Sequence, residues 1–150
     1  MGGRDLAGFN FDLQKVLDVR NIQEDMAQNK YLQARQKKKE LERELQQMNQ
    51  TKHQVYNYLR KDEDNSVEKT IQARQYLQRH KKKINKHQEQ LKYQNYEVEQ
   101  KQEKLIKKQK NRKVLDKLKE KEYKEYHSDL MKAQQKLLDE IGQTQQEVRE

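Results

Sequence analysis

From Phe9 onward, apolar residues recur along the chain at steps of three and four. The stripe opens with Phe9, Phe11 and Leu13, and continues through Ala27, Tyr31, Ala34, Leu41, Leu45, Met48, Val55 and Leu59. Such spacing returns to one helix face every seven residues and is the seam of a coiled coil. Lys38 and Lys52 interrupt the seam. The pattern stops at Lys61-Asp62-Glu63-Asp64-Asn65-Ser66, the one cluster of turn-forming residues in the body of the chain. Asn65 followed by Glu68 has the spacing of a capping box, with Asn in place of Ser or Thr. This predicts a helix–helix turn and a new helix from about Ser66. There Leu77, Ile84, Leu91, Val98 and Leu105 repeat every seven residues, and the companion seam positions are polar: His80, His87, Gln94 and Lys101. After Arg112 the apolar residues become denser and shift phase, through Val114, Leu115, Leu118, Tyr123, Tyr126, Leu130, Leu137, Leu138 and Ile141. Gly142 is then placed as a C-cap with fraying beyond it.

These elements predict an all-α fold, a long antiparallel two-helix coiled-coil hairpin in which the second helix overhangs. The expected segments are a flexible leader at 1–8, with the look of an appended sequence, a first helix at 9–61, the turn at 62–65, a second helix at 66–141 and a frayed tail at 142–150. At the rise of an α-helix the two helices would span roughly 75–80 Å and roughly 115–125 Å. Folding back at the turn pairs each residue with one near 128 minus its own number. Phe9, Phe11, Leu13, Val16 and Leu17 then lie beside Arg112, Leu115 and Leu118, so apolar clusters meet. The last ~30 residues pass the start of the first helix with nothing to pair against, yet they still carry an apolar stripe. Such a stripe is a docking surface, folds back, or dimerises.

Composition narrows the choice between a helical rod and a disordered chain. Only 31% of the 150 residues are hydrophobic and 39% are charged, too few apolar groups for a globular core. The chain has no proline and is rich in Gln, Lys, Glu, Leu and Arg, which favours long helices with one thin seam. With no cysteine it has no disulfides and no thiolate chemistry. No apolar run approaches a membrane span and no signal-peptide core is present, so the expected location is the cytoplasm, without insertion into a membrane. The net charge of +9 is uneven. Residues 66–115 carry 15 basic and 5 acidic side chains and supply all of the excess. A basic stretch of this kind attracts an acidic surface, whether nucleic acid, anionic lipid or an acidic protein face.

Enzyme signatures are missing: no glycine-rich phosphate loop, no G-x-S-x-G and no H-E-x-x-H. His53, His80, His87 and His127 lack the i, i+4 spacing of a metal pair, and a two-helix hairpin has no pocket in which carboxylates would be desolvated. The expectation is a non-enzymatic protein without cofactor or metal. Arg79-His80-Lys81-Lys82-Lys83 and the stretch Lys104–Lys113, with Tyr93 and Tyr96, could contact a nucleic acid. Lysines that solubilise a helix with a thin seam account for them more simply, so no nucleic-acid partner is expected. Tyr76, His80, Lys83 and His87 align on one helix face. They form either a partner-contact patch or, at the two histidines, polar seam residues that fix register.

The two ends carry a more specific pattern. Phe9-x-Phe11-x-Leu13-Gln14-x-Val16-Leu17-x-x-Arg20 resembles the start of the FliJ family of flagellar type III export proteins. Arg112-Lys113-Val114-Leu115-Asp116-Lys117-Leu118-Lys119-Glu120-Lys121, then Tyr126, then Lys136-Leu137-Leu138-Asp139-Glu140-Ile141, is similar to its other recurring block. Ile84 to Leu91 is a weaker match to the middle of the family. The resemblance implies an antiparallel coiled coil similar to the central stalk of rotary ATP synthases, lying at the cytoplasmic face of the export apparatus. The implied partners are a hexameric export ATPase, the cytoplasmic part of an export gate membrane protein, and export chaperones, with the free protein a monomer. The resemblance and the hairpin register together imply that Phe9, Phe11, Leu13, Arg112, Leu115, Leu118, Tyr126, Leu130 and Leu137 face the ATPase pore. They likewise place Tyr76, His80, Lys83 and His87 toward the gate. The alternatives are a coiled-coil scaffold that dimerises through its C-terminal helix, and a nucleic-acid-associated basic helical protein.

Overall fold

The computed structural model describes residues 8–61 and 66–149. The described residues form two α-helices and no strand: α1, Gln14–Lys61, and α2, Val67–Arg149. The fold is all-α, and α1 and α2 pack against each other as a helical hairpin. The expected turn at 62–65 and the proposed cap residue Asn65 lie outside the described residues.

Helix ends follow local chemistry. Phe11 O accepts a hydrogen bond from Gln14 N at 3.0 Å and Leu13 O one from Leu17 N at 2.9 Å, which closes the first turn of α1. Its last turn carries Arg60 and Lys61, cations at the negative end of the helix dipole. At the start of α2, Ser66 Oγ accepts from Lys69 N at 3.3 Å, so Ser66 is an N-cap, and Glu68 adds a negative charge to the first turn.

Two boundaries differ from the sequence expectation. Phe9–Leu13 precede α1 instead of forming its first turn, because Gly8 at φ +82° turns the backbone and Phe9 packs on α2. α2 also runs through Gly142 to Arg149. Glycine costs about 1 kcal/mol in a helix interior, and the strong helix formers around Gly142 outweigh that.

The chain divides into two compact units, and both helices contribute to each. The middle unit is Asp25–Lys107. Its seam follows the heptad stripe: Ala27, Tyr31, Ala34, Leu41, Leu45, Met48, Val55 and Leu59 on α1 are all buried or half-buried, as are Leu77, Ile84, Leu91, Val98 and Leu105 on α2. Lys38 and Lys52 are half-buried, and Lys38 Nζ lies 3.9 Å from Glu42 Oε1. Two polar layers fix the pairing. His80 Nε2 lies 2.7 Å from Met48 O, and Gln94 Nε2 donates to Ala34 O at 3.0 Å. In both pairs the residue numbers sum to 128, the antiparallel register expected from the turn.

The terminal unit comprises Met1–Glu24 and Lys108–Glu150. Its core is Phe11, Leu17 and Leu115, with Phe9 and Leu118 packed against it. Around the core, Lys119 Nζ donates to Gln14 Oε1 at 2.7 Å and Arg20 Nη1 to Asn111 O at 2.6 Å. Arg112 bridges Glu24 of α1 and Asp116 of its own helix.

Candidate partner-binding surfaces

The terminal unit joins a short helical pair to a bare helical extension. Ahead of α1, Phe9 meets Tyr123 edge-on with ring centroids 5.5 Å apart and Tyr126 at 5.6 Å. Gly8 approaches so closely that a Cβ there would lie 2.7 Å from the Tyr126 hydroxyl oxygen. The left-handed φ and the close approach together explain why glycine occupies this position. Every residue of α2 from His127 to Arg149 is exposed. The apolar repeat nevertheless continues. Tyr123, Leu130 and Leu137 follow one another at steps of seven, so the face that packs on Phe9 runs on without a partner. Leu130 is 41% and Leu137 58% exposed, and Met131, Leu138 and Ile141 widen the stripe.

All nine residues expected to face the ATPase pore fall in this unit, and the structure divides them into two groups. Phe9, Phe11, Leu115, Leu118 and Tyr126 contribute to packing between the N-terminal segment and α2, while Arg112 holds its two carboxylates. Hydrogen bonding to Glu24, ahead of the opposing effect of burial, raises the pKa of Arg112 above its already high ordinary value. Leu13, Leu130 and Leu137 remain exposed. The sequence reading missed two exposed apolar residues in the same unit, Val19 and Ile22 on α1, and Val16, expected beside Arg112, Leu115 and Leu118, is exposed as well. Val19 and Ile22 sit three residues apart and away from Leu17, and a seam search that follows one stripe per helix passes over them.

In the middle unit the four residues expected to face the export gate do lie together. Tyr76 stacks on His80 at 5.5 Å between centroids, and Tyr76, Arg79, His80 and Lys83 line a shallow groove. The histidines turn inward. His80 is buried against Met48 O, while His87 Nε2 meets Glu44 Oε2 at 3.0 Å and its Nδ1 lies 3.2 Å from Lys83 O. Tyr76 and Lys83 are exposed. Further along α2, the hydrogen bond from Tyr93 to Glu97, reinforced by the carboxylate charge, raises the Tyr93 pKa above its ordinary value of 10.0. Among the described residues no cluster of His, Cys, Asp and Glu could hold a metal ion, and no helix is long and apolar enough to cross a membrane.

An antiparallel helical pair whose C-terminal helix continues as an unpaired amphipathic rod places this chain among the coiled-coil proteins. A family model described as flagellar FliJ protein matches residues 9–149, and the chain belongs to that family. Its role is therefore flagellar and related to protein export. No curated protein and no solved structure matches the chain.

Proposed function

We propose that this protein is a non-enzymatic stalk and adaptor of the flagellar type III export apparatus. Its terminal unit enters the hexameric export ATPase and promotes the assembly or activity of the ring. The face around Tyr76, Lys83 and the inward-turned His80 and His87 meets the cytoplasmic part of the export gate, and the protein also handles export chaperones. It works at the cytoplasmic face of the apparatus, without a cofactor.

Family membership supports the setting, and one observation carries the ATPase contact: Leu130 and Leu137 continue the packed face of α2 along a stretch that is exposed at every residue. Burying such leucines against a partner is worth roughly 1.5–3 kcal/mol each, and within the described residues nothing covers them. A stalk in a six-fold ring touches its subunits unequally, which is a way to bias assembly or the order of turnover.

The test is the ATP hydrolysis rate of the cognate export ATPase with and without this protein, alongside Leu130→Glu/Leu137→Glu. Stimulation by the native chain that the double variant loses supports the reading. Absence of stimulation at every molar ratio rejects it in favour of the dimerising scaffold.

A further inference from the structure

The strongest unexplained feature of the middle unit is its charge. Residues 69–92 of α2 carry eight basic side chains, Lys69, Arg74, Arg79, Lys81, Lys82, Lys83, Lys86 and Lys92, against the single acid Glu89. All eight are exposed. At Lys38–Glu42 and Lys124–Glu120 the chain pairs a lysine with an acid one helical turn away. Between Arg79 and Lys86 it does not. The i+4 neighbours of Arg79, Lys81, Lys82 and Lys83 are Lys83, Asn85, Lys86 and His87, and the i−4 neighbours are Gln75, Leu77, Gln78 and Arg79. No carboxylate is among them, and Arg79–Lys83 and Lys82–Lys86 are like-charge pairs at the spacing where repulsion destabilises a helix. Lysines solubilise such a helix, but repulsion at this spacing is a cost that mixed signs avoid. A single-sign cluster retained on a thin-seamed helix gains from a polyanionic surface that removes the repulsion.

We infer that the outward face of α2 around Arg79, Lys82 and Lys86 attaches the protein to an anionic lipid surface. The three residues, with Tyr93 beyond them, follow one another at steps of three, four and seven, on the side of α2 away from the Ile84 and His80 seam. Two observations favour lipid headgroups over a nucleic acid. The cations of this face are mostly lysines, hydrated point charges suited to a diffuse negative plane, whereas arginine forks suit individual phosphates. Tyr93 and Tyr96, 64% and 55% exposed, end the stripe with amphipathic rings of the kind that settle at a membrane–water interface. Attachment of this type is peripheral. It involves none of the leucines assigned to the ATPase, so the two readings fail separately.

The experiment is flotation of the full chain with vesicles of phosphatidylcholine alone and of phosphatidylcholine containing about 30 mol% phosphatidylglycerol, a content that gives a strongly negative surface. The protein should float with the anionic vesicles only, and binding should collapse as salt rises from about 50 to about 300 mM. Arg79→Glu/Lys82→Glu/Lys86→Glu should weaken binding by about a hundredfold or more, from several-fold per cation. Lys117→Glu/Lys121→Glu/Lys132→Glu, with the same change in net charge but located in the terminal unit, should bind nearly as the native chain does. Far-UV circular dichroism confirms that both variants are helical. Equal binding to neutral vesicles, or equal loss in the two triple variants, overturns the proposal. So does tighter binding to a 30-nucleotide single-stranded DNA than to the anionic vesicles, which would make the patch a nucleic-acid surface.

Discussion

Gln94 shows how single residues set this fold. It is 5% exposed and sits at a seam position where a coiled coil prefers an apolar side chain. Its amide donates to Ala34 O, a carbonyl inside α1 that the helix ladder already satisfies. Gln94→Leu therefore removes a buried polar group and its bond together and leaves no orphaned acceptor, while it adds an apolar layer to a thin seam. The variant should be more stable by about 1 kcal/mol, read as a higher urea midpoint. A lower midpoint would mean that the bond to Ala34 outweighs the apolar gain. The polar seam was visible in the sequence, because the repeat of seven fixes which positions face inward. The register followed from the placed turn, but the partner atoms did not, because a repeat of seven tells which positions face inward and not which carbonyl a side chain reaches. Glu24 for Arg112 and Tyr126 for Gly8 belong to the same class, contacts far apart in sequence that no local spacing announces.

Among the elements, α2 is the one whose extent the sequence understated. Gly142 reads as a stop signal because a helix end often takes glycine for its left-handed conformation. In the structure it has no such conformation, and open space surrounds it. With no tertiary contact to favour an end there, helix propensity carries α2 to Arg149. The start of α1 was overstated for the opposite reason. Packing of Phe9 against Tyr123 and Tyr126 overrides the helical tendency of Phe9–Leu13. These two ends lead to opposite expectations for deletion. Because every residue from His127 to Arg149 is exposed, truncation after His127 should leave the urea midpoint of the remaining chain unchanged, within about 0.5 kcal/mol, as for changes away from packed groups. The same truncation should remove ATPase stimulation. A large loss of stability instead would show that the extension folds back on the hairpin in solution.

For the molecule as a whole, the seam is sparse. Among the described residues the buried hydrophobics are Phe11, Leu17, Ala34, Ile84, Val98, Leu105 and Leu115, and none of their side chains is fully enclosed. A seam of this kind leaves the free chain marginally stable and its extension the largest uncovered apolar stripe of the terminal unit. Two outcomes compete for that stripe: it waits for a different protein, or it pairs with a second copy. Self-pairing would align Leu130, Leu137 and Ile141 of two chains, but across the short stretch His127–Arg149, interrupted by Gln134 and Thr144 at the intervening seam positions. Isolated coiled coils of about three heptads with polar seam residues are weak. Sedimentation equilibrium should therefore find one species at the 18.4 kDa of the single chain over roughly 10–100 µM. A dimer that grows with concentration and disappears in Leu130→Glu/Leu137→Glu would assign the stripe to self-association. A monomer whose thermal midpoint rises when the export ATPase is added, with no rise in the double variant, would assign it to that partner, because a ligand that binds only the folded chain stabilises it by mass action.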